Sequence, residues 1–172
     1  MGFVFGDLPS PYHELDRSKV VIVPVPYDAT STWIKGANRG PAAIIEASVH
    51  MELYDIETGG EPFRIGIHTD DPVETGSYPE VMVKEVRERI SSWLDREKFV
   101  VTLGGEHSVS IGAIQAHHYH YPDLCVLQLD AHTDLREEYE GSANNHACVM
   151  ARARELCPIT QVGIRSLDQT EL

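Results

Sequence analysis

Leu124-Cys125-Val126-Leu127-Gln128-Leu129-Asp130-Ala131-His132-Thr133-Asp134 passes within one short stretch from an almost unbroken apolar run to two carboxylates and an imidazole. A brief run of Leu and Val bounded by a polar cluster reads as a strand buried on both faces, as in parallel sheets. In open α/β sheets, ligands bind beyond the carboxyl ends of strands, and Asp130, His132 and Asp134 stand at such an end. They occupy positions i, i+2 and i+4, so an extended backbone would turn all three side chains to one side. Hard oxygen and borderline nitrogen donors in that mixture suit a divalent ion such as Mn²⁺ better than Ca²⁺ or a thiophilic metal.

The same alternation of apolar runs and helix-like stretches extends along the chain and predicts an α/β domain with a mainly parallel sheet. Further strands are expected at Val20 to Val25, Phe63 to His68, Phe99 to Leu103 and Ile159 to Ile164. Pro41 suits the first turn of a helix that should run to about Met51, because its missing N–H would have no partner there. Val83, Val86, Ile90 and Trp93 or Leu94 recur at three- and four-residue spacing, with Lys84, Glu85, Arg87 and Glu88 opposite, which predicts an amphipathic helix covering the sheet. A third helix is expected after Ser108 and a fourth after Asn145, carrying Met150 and Leu156 inward and ending at Pro158. Ser166-Leu167-Asp168-Gln169 fits a capping box, or equally a polar tail.

The strand Phe99-Val100-Val101-Thr102-Leu103 delivers Gly104-Gly105-Glu106-His107-Ser108, where the glycines permit a sharp turn and leave His107 at the same rim. Taken singly, Asp130 and Asp134 are equally turn or cap residues and His107 a loop histidine. Their combination is what points to a metal. His117, His118 and His120 fall at a helix end and read as solvated.

With 172 residues and 42% apolar content, one domain over residues 1–172 is expected. The net charge of −13, from 27 acids against 14 bases, disfavours nucleic acid and anionic lipid and favours a cationic ligand or a metal. Cys125, Cys148 and Cys157 are odd in number and show no C-x-x-C spacing, which fits a reducing cytoplasm. The opening segment from Met1 to Pro9 has no basic stretch ahead of an apolar run, and no apolar run is long enough to span a membrane, so neither a membrane nor the exterior is expected.

Gly104-Gly105-Glu106-His107-Ser108 and Asp130-Ala131-His132-Thr133-Asp134 resemble, in order and spacing, the first two metal motifs of the arginase and agmatinase ureohydrolases. Pro24-Val25-Pro26-Tyr27-Asp28, Gly36-Ala37-Asn38-Arg39-Gly40-Pro41 and Val162-Gly163-Ile164-Arg165-Ser166 extend the likeness over nearly the whole chain. The resemblance implies a three-layer α/β/α fold and two Mn²⁺ ions per complete site. It assigns His107 and Asp134 to one ion, His132 to the other, and Asp130 to both. It further implies hydrolysis of agmatine to putrescine and urea, a step of polyamine biosynthesis, by a metal-bridging hydroxide. His146 is the expected proton shuttle, and Ser142 and Asn144 the expected substrate contacts. The loop Leu135-Arg136-Glu137-Glu138-Tyr139-Glu140-Gly141-Ser142 would oppose the carboxylate of arginine and favour agmatine, which lacks one. A homo-oligomer is expected of the complete enzyme.

Two features depart from that family. Its later Asp-x-Asp motif and the glutamate that receives the guanidinium have no counterpart here. The C-terminal strands that would lie between the third and fourth strands of this chain are also lacking. The chain is therefore expected to be a truncated or split product, inactive or barely active alone. Other readings are an arginase or other guanidino-acid hydrolase, or a non-catalytic family member serving binding or assembly.

Overall fold

Val20–Val25 forms strand β1, flanked in parallel by β2 (Ile67–Thr69) and β3 (Phe99–Gly104) in the order β2-β1-β3. A second parallel pair joins β4 (Val126–Leu129) to β5 (Ile159–Val162), with Gln128 opposite Gln161. Helices α1 (Gly40–Ser48), α2 (Pro79–Leu94), α3 (Val109–His120) and α4 (Val149–Arg154) fall one between each successive pair of strands. Parallel pairing demands such crossovers. This is the computed structural model of the chain and it describes residues 4–172, so the part of the leader reading that falls on Met1, Gly2 and Phe3 lies outside it. Among the described residues no helix is long and apolar enough to cross a membrane.

Side-chain alternation along β1 divides the layers. Val21, Val23 and Val25 enter one core with Met82, Val86 and Ile90 of α2, Ile111 of α3 and Val149 of α4. On the opposite face Pro24 lines a cavity together with Pro41, Ala42 and Ile45 of α1. Each fully buried aliphatic side chain of this kind contributes about 1.5–3 kcal/mol, so the apolar stripe of α2 is a principal tie between the helical layer and the sheet.

Several expectations need correction. The strand expected from Leu124 begins at Val126, the one expected to reach Ile164 ends at Val162, and the fourth helix ends at Arg154, short of Leu156 and Pro158. Phe63 to Ile65 is not strand, because Pro62–Ile65 forms a 3-10 turn and pairing begins at Ile67. The cause is Gly66, at φ 88°, where a Cβ would stand 2.7 Å from Arg17 O. Helix α1 stops at Ser48, short of Met51, as the amides of His50 and Met51 donate to Ala47 O and Ser48 O in closing turns. The capping box lies two residues beyond the expected one: Asp168 accepts from Thr170 N, while Glu171 accepts from Asp168 N at 2.6 Å. Ser166 is drawn off, since its amide and that of Arg165 both donate to Ala131 O.

No ladder joins β3 to β4 among the described residues. Leu127 and Leu129 of β4 are 62% and 73% exposed, and Val162 and Phe99 are exposed as well. The two sheets therefore part between the third and fourth strands, where the sequence reading placed strands that this chain lacks.

Candidate metal centre

The end of β3 is locked to the end of β1. Gly105 N donates to Val25 O at 3.0 Å and Glu106 N to Tyr27 O at 3.0 Å. A Cβ on Gly105 would lie 1.9 Å from Tyr27 O, so only glycine permits this approach. Glu106 then accepts from Ser108 N at 2.7 Å and from Ser108 Oγ at 2.7 Å, which fixes the turn into α3 and sets His107 at the rim.

The exit from β4 is bent and not extended, contrary to the simplest reading of the i, i+2, i+4 spacing. Asp130 Oδ1 accepts from His132 N at 2.8 Å, and Asp134 adopts the left-handed region at φ 51°. Its carbonyl takes the amides of Met150 and Ala151 at 2.9 and 3.1 Å. These amides open α4 and have no partner inside the helix.

The bend brings His107, Asp130 and Asp134 together, with one donor atom from each within 4.8 Å of the others. His107 Nδ1 lies 2.9 Å from Asp134 Oδ2 and 3.9 Å from Asp130 Oδ2. His132 stands outside this group, largely exposed, with Nδ1 3.4 Å from Asp130 Oδ1. Asp130 thus turns one oxygen toward each histidine. Burial raises its carboxyl pKa, but the amides of His132 and Ala131 and the neighbouring His107 and His132 outweigh that and hold it below the usual range.

The His107 separations are those of groups that can share a divalent ion. Two ligands each about 2.1 Å from one ion stand at most about 4.2 Å apart, and both His107 separations lie within that limit. The donor set, one imidazole and two carboxylates, is neither thiolate-rich nor all-oxygen, which favours a first-row transition ion.

Supporting residues went unnoticed in the sequence. Gln128, 5% exposed, donates to Asp134 Oδ2 at 3.1 Å and to His132 O at 3.3 Å. Gln161 donates to Gln128 Oε1 at 2.5 Å and Thr133 O at 2.7 Å. Glu171 accepts from Thr133 Oγ1 at 2.6 Å and Leu135 N at 2.9 Å. The only available signal was a glutamine inside an apolar strand.

His146 lines a cavity of about 280 Å³ with His132, Asp134, Arg136, Tyr139 and Glu171. Its ring meets Tyr139 edge-on, with centroids 6.0 Å apart. Arg136 lies 3.3 Å from Asp168 Oδ2 and 3.9 Å from Glu171 Oε2. Ser142 and Asn144 meet α2 instead of this cavity: Ser142 Oγ donates to Glu80 Oε1 at 2.8 Å and Asn144 Nδ2 to the same oxygen at 3.5 Å. Within the acidic loop, Glu137 is engaged by Arg152 and Arg154, while Glu138 and Glu140 are exposed and make no ion pair among the described residues. His117 and His120 face backbone carbonyls of their own helix, each at 2.8 Å.

The sequence pattern of the arginase family matches residues 18–172. The chain belongs to the arginase family. Among its arginase-family relatives, the N(1)-aminopropylagmatine ureohydrolase of Synechocystis is 41% identical over 160 residues, covering 88% of this chain and 52% of that protein. The enzyme of the same name from Thermus thermophilus is 40% identical over 174 residues, covering 100% of this chain and 58% of that protein. The crystal structure of the agmatine ureohydrolase of Thermoplasma volcanium aligns with a TM-score of 0.84 at 32% identity, over 90% of this chain and 53% of that one. The chain spans little more than half the length of these arginase-family proteins.

Proposed function

We propose that this chain forms the metal-binding and proton-handling part of a ureohydrolase acting on agmatine-type guanidino amines. The observation that carries this reading is the convergence of His107, Asp130 and Asp134 beside the cavity that holds His146. His107 and Asp134 would hold one Mn²⁺ and His132 a second, with Asp130, which lies between the two histidines, available to both. Such a pair would supply the polarisation that activates water as a nucleophile near neutral pH. Gln128 holds the Asp134 carboxylate in place, and His146 delivers a proton to the departing amine as the guanidinium C–N bond breaks. The products are urea and the corresponding amine, putrescine where agmatine is the substrate.

Charge supports this substrate class. Agmatine and its aminopropyl derivative carry cations at both ends. The chain has a net charge of −13, and Glu138 and Glu140, the sequence neighbours of the cavity-lining Tyr139, are exposed. Arg136, the cation lining that cavity, faces Asp168 and Glu171, so it is already neutralised and a carboxylate-bearing substrate gains little there. The odd cysteine count goes with a reducing cytoplasm. Since the sequence holds no Asp-x-Asp motif, turnover needs carboxylates beyond those of this chain.

Joining the chain to the C-terminal part of the Thermus thermophilus relative and loading Mn²⁺ tests the reading. Urea should be released from agmatine or N(1)-aminopropylagmatine in preference to arginine. A preference for arginine would overturn the substrate class. Absence of both urea and bound metal would overturn the enzyme and favour a role in assembly.

A further inference from the structure

Thr30, 6% exposed, follows β1 and sits between Glu106 and His146. Its hydroxyl donates to Glu106 Oε1 at 2.8 Å. Thr30 Oγ1 in turn accepts from the backbone N–H of His146 at 3.1 Å and lies 3.2 Å from His146 Nδ1. A threonine hydroxyl has one proton to donate and two lone pairs to offer. The proton is committed to Glu106, a carboxylate that also takes two donors from Ser108 and has none to give. One lone pair is committed to the His146 amide. What remains for Nδ1 is a lone pair, and only a protonated Nδ1 makes a hydrogen bond with it.

We infer that Thr30, oriented by Glu106, is a positioning residue that fixes His146 as the Nδ1–H tautomer and leaves its Nε2 as the basic nitrogen. With Nδ1 held against Thr30, Nε2 is the ring nitrogen left for the cavity that His146 lines. The opposite tautomer would set a lone pair of Nδ1 against one of Thr30 and forfeit the bond, a bias on the order of tenfold in population. The arrangement has the logic of a buried acceptor holding an imidazole in one tautomer, with a hydroxyl interposed. Use of Nε2 as the proton carrier rests on the ureohydrolase reading above; the tautomer does not.

Long-range ¹H–¹⁵N correlation spectra of the histidine-labelled 172-residue chain, recorded at about pH 8 where a free imidazole is neutral, read the tautomer directly. His146 is identified by the signals lost in His146→Gln. The expected result is a protonated Nδ1 and a bare Nε2 in the wild type, loss of that bias in Thr30→Val, and its return in Thr30→Ser. A majority Nε2–H form in the wild type would overturn the inference, whether or not Thr30→Val folds. A tautomer unchanged in a folded Thr30→Val would overturn it too. Neither outcome depends on metal or on urea release, so the result stands apart from the test of the proposed function.

Discussion

Gln128 donates its side-chain amide to Asp134 Oδ2 at 3.1 Å, from a position on β4 that is itself almost wholly buried. A buried amide, itself held by Gln161, restricts the carboxylate to the rotamer that faces His107. Groups that orient metal ligands in this way typically affect metal affinity by about 10–100-fold. Gln128→Leu keeps the volume and removes the donor. Its Mn²⁺ dissociation constant, measured by calorimetric titration, should rise within that range, and an unchanged constant would remove Gln128 from the account.

Glu171 holds the chain on either side of Asp134 through Thr133 and Leu135. Burial pushes its carboxyl upward, but the bonds from Thr133, Asp168 and Leu135 and the Arg136 charge outweigh burial and hold it below the usual range. A folded-state value below the unfolded one stabilises the fold fully above the ordinary glutamate range, about pH 4.3, and that contribution is lost as pH falls through the depressed value. Glu171→Gln should lower stability at pH 7 by about 1–3 kcal/mol. Urea denaturation should show the gap closing as pH falls below about 4. A gap that widens in acid would reverse the assigned sign.

Gly105 admits no side chain. With a Cβ 1.9 Å from a backbone oxygen of Tyr27, Gly105→Ala must displace the turn that carries His107. A loss of about 2–4 kcal/mol in unfolding free energy is expected, together with weaker Mn²⁺ binding. Wild-type stability in this variant would mean that the two strand ends are not held as described.

His146→Asn in the completed, metal-loaded enzyme should reduce kcat by about 10²–10⁴-fold. Its metal content, read by elemental analysis, should stay unchanged, because His146 is not among the three converging ligand donors. Loss of metal with loss of rate would recast His146 as part of the metal centre.

Features fixed by local pattern were legible in the sequence. β1 and the apolar stripe of α2 appear as read, because alternation and three- to four-residue spacing are properties of the elements themselves. The 3-10 turn at Pro62–Ile65 was not legible, since it depends on Arg17 and Ser18 packing against Gly66 from another part of the chain. The left-handed backbone of Asp134 was hidden likewise, because amides of α4 secure it. The candidate donors could be read at the strand ends, and His107, Asp130 and Asp134 do meet. Their supports could not be read: Thr30 reaches His146 over 116 residues of sequence and Glu171 reaches Thr133 over 38.

The central claim is that His107, Asp130 and Asp134 hold a divalent ion, and Mn²⁺ binding to the 172-residue chain followed by electron paramagnetic resonance tests it most directly. Saturable binding that falls at least about tenfold in Asp134→Asn is predicted. Absence of binding in the wild type, or binding indifferent to that substitution, would contradict it.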